Sequence, residues 1–581
     1  MTTSSVTASD GVCLAVHAYT EIDARRPTIL AIHGYPDNHH VWDGVAERLA
    51  DRYNFVAYDV RGAGESSKPA NRSAYRFPQL VSDIAAVIDS LGVDQVHLVA
   101  HDWGSIQAWA AVTDEPLMDR VASFTSISGP HLNYAGKFLR SPRTPRAVAD
   151  VAKQVLASSY IWFFLCPGLP ELTIRSRATV KVFDAVERIG RSSTRSQRPA
   201  PYRSTHDYLN GLNLYRANMP APILAPPEQL PETRVPVQVL VARKDYFVSP
   251  PLQRFTGSLL PGGRVVPIEG GHWVVTSRPD VIARLTGEWV DLVTAGAAGD
   301  SVVNTGSRDV VGKLALVTGA GAGIGRATAV ELARQGAATV VVVDLDVDSA
   351  NDTAEAVRAA GAEAAVYQVD VSDETAMHEL AAQVHDKHGV VDILVNNAGI
   401  GMAGRFLETT PEHWDTIMGV NVRGVINGSR AFGAQMVERG QGGTIINVSS
   451  AAAFLPSKSM VAYGTTKAAV LALSESLRAD LADEGITVTA VCPGFVNTNI
   501  AKSTVYTNLS TEQQERARQK ADAAYRRRNY TPEAVARAIV KAVRTGPAVL
   551  PVAAESRVGY ALRRISPSLV RLFARFDLRQ M

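Results

Sequence analysis

Residues 294–308 (TAGAAGDSVVNTGSR) break an otherwise steady alternation of short apolar runs and helical stretches, dividing the chain into two halves that must each bury a core of their own. Small and polar residues without a period form flexible linkers rather than packed elements. Before the break, apolar runs stand at 28–32, 56–58, 96–99 and 237–241; after it they stand at 314–318, 340–344, 393–396, 445–448 and 487–491. Such runs, separated by helical stretches, predict α/β units with parallel sheets covered by helices on both faces. In the first half a helical, aromatic-rich insert at about 131–233 separates two of the strands. The expected layout is a first domain over 1–293, a linker over 294–309, a second domain over 310–555 and a basic amphipathic tail over 556–581. A length of 581 residues, at roughly 150 per domain, allows this.

Composition narrows the function classes. With 46% hydrophobic and 20% charged residues the chain has ample core. Lys+Arg 59 against Asp+Glu 57 gives no global case for nucleic acid. Cys13, Cys166 and Cys492 are scattered and odd in number, which argues against a disulfide framework or a Cys-rich metal centre. The start, MTTSSVTASDG, lacks the layout of a signal peptide, and no run reaches about 18 apolar residues, so a cytoplasmic protein is expected.

In the first half, Ala100-His101-Asp102-Trp103-Gly104 follows an apolar run and opens a helical stretch. This small-x-nucleophile-x-small layout makes a sharp strand-to-helix turn that lifts the central side chain above a sheet. The apex residue is Asp102, a carboxylate that needs no deprotonation to attack carbon. Taken alone, Asp102 would serve equally well as a helix N-cap. Its partners argue otherwise. Asp245 lies just past a strand, His272 stands in GGHW (270–273), and HGYP (33–36) offers a backbone N–H to an oxyanion.

These residues resemble those of the α/β-hydrolase epoxide hydrolases and haloalkane dehalogenases. The resemblance implies an α/β-hydrolase fold with a helical cap, an Asp102–His272–Asp245 set, and an oxyanion hole from the N–H groups of Tyr35 and Trp103. The segments 160–171 and 212–219 are similar to the cap segments of epoxide hydrolases, which implies that Tyr160 and Tyr215 are the tyrosines that protonate the epoxide oxygen. A dehalogenase would need indole N–H donors for a halide, and is kept as the alternative. His39, His40 and His101 read as structural.

In the second half, Thr318-Gly-Ala-Gly-Ala-Gly-Ile-Gly325 joins a strand to a helix, with glycines at 319, 321, 323 and 325. A phosphate at a helix N-terminus needs backbone that can approach it closely. The chain here resembles the short-chain dehydrogenase/reductases. That resemblance implies a Rossmann-type doubly wound parallel sheet and a dinucleotide held by Gly319, Gly321, Gly323, Ile324 and Gly325, with Asp344 on the ribose and Asp370 at the adenine. Asn397, Ala398 and Gly399 match the family's NNAG motif; Pro493, Gly494, Val496 and Thr498 would close over the nicotinamide. Asp344, with no basic residue at Ala322, favours NAD over NADP. Ser450, Tyr463 and Lys467 match the catalytic set, and Asn421 the proton-relay asparagine. The Tyr–Lys spacing puts both side chains on one helix face, where an ammonium would favour the phenolate.

Residues 137–203 carry an excess of nine positive charges, counting 13 Lys/Arg against 4 Asp/Glu. In the tail, six arginines interleave with apolar residues. A basic amphipathic segment suits an anionic membrane surface, which would make the protein peripheral at the inner membrane face; packing on the second domain or a subunit suits it equally. The expected function is a bifunctional enzyme acting on hydrophobic substrates: a lipid-like epoxide in the first half, an alcohol or ketone with NAD in the second. Oligomerisation is expected through the second domain. A second domain that binds NAD only as a docking or oligomerisation module is the remaining alternative.

Overall fold

The computed structural model describes residues 1–142, 144–189, 202–260, 262–296, 309–498, 500, 504–528 and 530–574. The chain forms two compact units, Met1–Gly306 and Ser307–Met581. Most of the expected linker lies outside the described residues; the helix Pro279–Thr294 leads into it.

The first unit is built on eight strands: β1 Thr2–Thr7, β2 Cys13–Ala18, β3 Thr28–Ile32, β4 Asn54–Tyr58, β5 Val96–His101, β6 Val121–Ile127, β7 Val237–Ala242 and β8 Arg264–Ile268. They lie in the order β1-β2-β4-β3-β5-β6-β7-β8. Strands β3 to β8 are parallel, as the alternation predicts, while at one edge β1 and β2 form an antiparallel hairpin and β2 runs antiparallel to β4. The sequence pattern concealed β1 because an edge strand exposed on both faces carries no apolar alternation, only Thr/Ser propensity and the turn at Gly11 (φ 81°). Strands β3, β4 and β5 are buried along their whole length, as central strands between two helical layers must be. Buried Asp59, just past β4, accepts from His17 (3.2 Å), from the His39 ring (2.9 Å) and from the backbone N–H groups of His39 and Glu65 (both 2.8 Å), tying β2, β4 and the loop after β3 together. Between β6 and β7 the insert folds as a helical cap that includes Pro145–Ala157, Ser159–Leu165, Leu169–Arg175, Ala178–Ile189 and Thr205–Asn218.

The second unit has β9 Leu314–Thr318, β10 Thr339–Asp344, β11 Glu363–Gln368, β12 Ile393–Asn396, β13 Met402–Ala403, β14 Gly443–Val448, β15 Ile486–Pro493, β16 Val505–Tyr506 and β17 Val549–Val552. Seven form one parallel sheet in the order β11-β10-β9-β12-β14-β15-β17, and β13 pairs with β16 beside it. The sheet order reverses between β9 and β12, and such a switch point leaves a crevice at the carboxyl ends of the strands.

Candidate active sites

In the first unit, β5 ends at His101 and the helix Trp103–Val112 begins directly after Asp102. Asp102 has φ 51° and ψ −121°, a conformation that costs a side-chain-bearing residue about 1–3 kcal/mol and persists only where surroundings impose it. The surroundings are backbone at van der Waals limits. A Cβ at Gly104 would come within 2.2 Å of the Ile32 carbonyl, one at Gly129 within 2.2 Å of the Asp102 carbonyl, and one at Gly34 within 2.4 Å of Asp102 Oδ1. Gly104 is legible from the motif; Gly34 and Gly129 come together with it only in the fold.

Although Asp102 occupies the N-cap position, its side chain caps nothing. Instead Oδ1 accepts the Tyr35 backbone N–H at 2.7 Å, and Oδ2 lies 3.4 Å from His272 Nε2. His272 Nδ1 is 3.1 Å from both oxygens of Asp245, which also accepts the N–H groups of Phe247 and Val248 at 2.9 Å. Burial disfavours the imidazolium, but the carboxylates of Asp245 and Asp102 outweigh it and push His272 up to about 10. Burial likewise opposes the Asp245 charge, and His272 holds that carboxyl below its ordinary range. His101 donates its Nε2–H to the His272 carbonyl at 2.8 Å, a structural part as expected.

The cap brings Tyr160, from Ser159–Leu165, and Tyr215, from Thr205–Asn218, to ring centroids 6.1 Å apart. The Tyr215 ring lies 4.9 Å from Trp103 and 5.4 Å from Tyr35; Tyr160 lies 5.2 Å from Phe247, which in turn lies 4.9 Å from His272. Burial and the neighbouring Asp102 carboxylate raise both phenols above their ordinary value, so both keep their protons as donors. Arg216, which carries no signal in the sequence, fixes this pair. It donates to the carbonyls of Phe164 (3.0 Å) and Cys166 (2.7 Å) and pairs with Glu171 (2.6 Å), locking the two tyrosine-bearing helices together. Buried Arg203 joins the cap to the sheet domain through Asp37 (2.6 Å) and Glu187 (2.8 Å).

The second unit holds a cavity of about 790 Å³. Gly319, Gly323, Ile324, Asp344, Asp370, Asn397, Ala398, Gly399, Ser450, Tyr463, Lys467, Pro493, Gly494, Val496 and Thr498 line it; Gly321, Gly325 and Asn421 do not. The turn requires glycine because its backbone packs too closely on neighbouring atoms to admit side chains. A Cβ at Gly325 would meet the Gly319 carbonyl at 2.0 Å, and one at Gly321 would meet Ser349 and Asp344 at 2.9 and 3.0 Å. Gly321 N–H donates to Asp344 Oδ2 at 2.7 Å, and Asn397 Nδ2 donates to the carbonyls of Thr318 and Gly319 at 3.0 Å, pinning the turn to the ends of β10 and β12.

Asn421 lies in a π-helical turn, Gly419–Arg423, fully buried. It accepts the Ile400 N–H at 2.8 Å and donates to the Ile400 carbonyl (3.0 Å) and Thr466 (3.1 Å). Lys467 Nζ donates to the Val448 carbonyl at 3.0 Å and stands 5.9 Å from the Tyr463 ring centroid. Burial pushes Lys467 down to about 8 and raises Tyr463, with only the Ser450 hydroxyl opposing the latter. The Lys467 ammonium carries three N–H donors, one of which is taken by the Val448 carbonyl.

The tail contributes what sequence reasoning placed outside the domain. Helices Ala554–Ile565 and Pro567–Phe573 carry Glu555, Val558, Gly559, Leu562 and Val570 into the cavity wall. Ser556 donates to the Cys492 carbonyl at 2.6 Å, and Tyr560 packs on Phe454 at 5.1 Å. Glu555 accepts the Phe495 N–H at 2.7 Å and pairs with Arg528, holding the Pro493–Phe495 segment in place. The interleaving of arginines with apolar residues such as Leu562 and Val570 was the available signal; residues 575–581 lie outside the described residues.

A model of the alpha/beta hydrolase fold matches residues 27–279, and one of the short chain dehydrogenases matches residues 313–508. "Probable oxidoreductase EphD" of Mycobacterium tuberculosis is 40% identical over 594 residues, covering 98% of both chains. A 2,3-dihydro-2,3-dihydroxybenzoate dehydrogenase of Bacillus subtilis is 36% identical over 33% of this chain and 74% of its own. A solved short chain dehydrogenase/reductase from Burkholderia phymatum, in complex with NAD, is 31% identical over 45% of this chain and 96% of its own, at a TM-score of 0.41.

Proposed function

The chain belongs to the family of proteins that fuse an alpha/beta hydrolase fold to a short chain dehydrogenase, and from that premise we propose that it hydrolyses an apolar epoxide in one unit and carries out NAD-dependent alcohol–carbonyl exchange in the other. The observation that carries the first half is Asp102 at φ 51°, with His272 Nε2 3.4 Å from one oxygen and two protonated tyrosines above it. Asp102 attacks an epoxide carbon, the ring C–O bond breaks, and a Tyr160 or Tyr215 hydroxyl gives its proton to the leaving oxygen. An alkyl ester on Asp102 results. His272 then takes a proton from water, the hydroxide adds to the ester carbonyl, and the N–H groups of Tyr35 and Trp103 hold the oxyanion until the vicinal diol leaves and Asp102 is restored. Incubating the protein with a series of apolar epoxides, with and without NAD, and identifying the products tests the assignment; halide release from haloalkanes with no diol from any epoxide would reject it.

The order of these steps is built into the charges. With Asp102 charged, the carboxylates of Asp245 and Asp102 hold the His272 imidazole above its ordinary range and favour the imidazolium, which is not a base. Ester formation removes the Asp102 charge, one of the two carboxylates that hold it up; the proton that His272 then gives up restores the phenol that protonated the ring oxygen and leaves a neutral imidazole to activate water. Asp102→Asn should therefore lower the His272 pKa, read by NMR titration of the imidazole, by roughly 1–3 pH units. An unchanged value would assign the whole effect to Asp245 and remove the switch.

Tyr160→Phe combined with Tyr215→Phe should lower epoxide turnover by roughly 10²–10⁴-fold, the range for loss of a positioned acid. Undiminished turnover in the double variant would reject the cap assignment.

In the second unit, NAD when bound supplies the hydride acceptor. Asp344 would take the ribose hydroxyls and repel a 2′-phosphate, and the glycine turn would receive the pyrophosphate. Tyr463 exchanges the alcohol proton, Ser450 holds the substrate oxygen, Lys467 would bind the ribose, and Asn421 holds the helix turn behind them. The apolar wall from Leu455, Leu562 and Val570 suits a hydrophobic alcohol or ketone. Hydrolysis of an epoxide generates the alcohol class that this second site oxidises.

A further inference from the structure

The cap has two apolar faces, and only one is used by the site beneath it. Helix Ser159–Leu165 turns Tyr160 and buried Phe164 inward while Trp162, two residues on, is 58% exposed. Helix Pro145–Ala157 presents an outward stripe of Val148, Ala152, Val155 and Leu156, the last 75% exposed, at the three- and four-residue spacing of one helix face. Leu169 and Leu172 continue it on the next helix, with Leu172 65% exposed. Patches of this kind on a folded surface mark an interaction site.

The charges around the stripe choose the partner. Over residues 144–188, the exposed charged side chains are Arg146, Lys153, Arg175, Arg177, Lys181 and Arg188, all cationic. The carboxylates in the same span are withdrawn: Glu187 is buried against Arg203, Glu171 is paired with Arg216, and Asp150 and Asp184 are partly covered. A surface that exposes apolar side chains and cations but no anion is complementary to an anionic lipid bilayer, where apolar side chains enter the acyl boundary, tryptophan sits at the headgroups and cations meet lipid phosphate. Together Pro145–Leu165 and Leu169–Arg175 are long and apolar enough for a span, but they bend by 93° at their break, and Tyr160 on the first of them is turned toward Tyr215 and the Asp102 charge. They therefore suit lying on a membrane, not crossing it.

We propose that the outward face of the cap docks this protein on an anionic bilayer, with Leu156, Trp162 and Leu172 inserted and the six cations at the headgroups. This docking is independent of the reaction assigned to the site, but it would place that site next to a lipid-borne substrate.

The test is co-sedimentation of the full chain with vesicles of phosphatidylcholine and phosphatidylglycerol in equal parts, against vesicles of phosphatidylcholine alone. Recovery should favour the anionic vesicles and fall as salt rises to about 1 M, where the screening length is about 3 Å. Leu156→Ser with Trp162→Ser should lose at least ten-fold in vesicle affinity with an unchanged circular dichroism spectrum, since both side chains face outward. Lys153→Glu with Lys181→Glu should remove the preference for anionic vesicles. Ile565→Ser with Leu572→Ser, on exposed positions of the tail, should leave recovery unchanged. The proposal is overturned if the wild-type chain does not sediment with anionic vesicles, or if the tail variant alone abolishes binding. It is also overturned if gel filtration shows a dimer that Leu156→Ser/Trp162→Ser disperses while vesicle binding persists, since the face would then be an interface between copies.

Discussion

Asp102→Ala is expected to abolish diol formation, with turnover falling by roughly 10⁴–10⁶-fold, the loss seen when a covalent nucleophile is removed. The size follows from the position. No other carboxylate can replace Asp102, because the strained turn that lifts it is held by Gly34, Gly104 and Gly129, and Asp245 is committed to His272 and two backbone N–H groups. His272→Gln should behave differently. The nucleophile and the tyrosines remain, so the ring opens once; the ester then has no base to activate water and accumulates as a mass increase equal to that of the epoxide. Intact-protein mass spectrometry after incubation with substrate reads this directly. Full hydrolysis by Asp102→Ala, or turnover by His272→Gln without a trapped adduct, would return Asp102 to the role of a helix-start residue. NAD binding should be intact in both variants, since the second unit builds its cavity from its own residues.

Tyr463→Phe is expected to stop NADH formation from a secondary alcohol, by roughly 10²–10⁴-fold, while leaving epoxide hydrolysis untouched. Burial raises this phenol, so the proton-accepting form is scarce near neutrality and alcohol oxidation should increase as pH rises; carbonyl reduction, which uses the protonated phenol, should not show that increase. If the epoxide's own diol is a substrate, epoxide plus NAD gives NADH after a lag, Asp102→Ala removes that NADH, and added diol restores it. Oxidation of other alcohols but never of the diol would leave two separate activities. NADH formation by Tyr463→Phe at the wild-type rate would reject the site and favour a unit that binds NAD without turnover.

Much of this chemistry was readable without a fold. A nucleophile elbow, a glycine-rich turn and a Tyr–Lys pair are local arrangements: residues within one turn or one helix create the geometry, so their spacing in the sequence carries it. The chain order of Asp102, Asp245 and His272, and the break at 294–308, were legible for the same reason. The two cap tyrosines were visible by resemblance, but Arg216, which ties their helices, was not. Two of its partners are the carbonyls of residues 50 or more positions away, and a backbone carbonyl has no letter in a sequence.

Tertiary structure alone decided three further points. It made β1 an edge strand, because an exposed polar hairpin has no apolar period to announce it. It turned the helices of the tail, set apart in the sequence as a basic amphipathic segment, into a wall of the oxidoreductase cavity, because helical spacing shows that an apolar face exists but not what that face meets. And it buried Lys467 with its Nζ on the Val448 carbonyl, a contact that the Tyr–Lys spacing cannot show because the acceptor is backbone on β14.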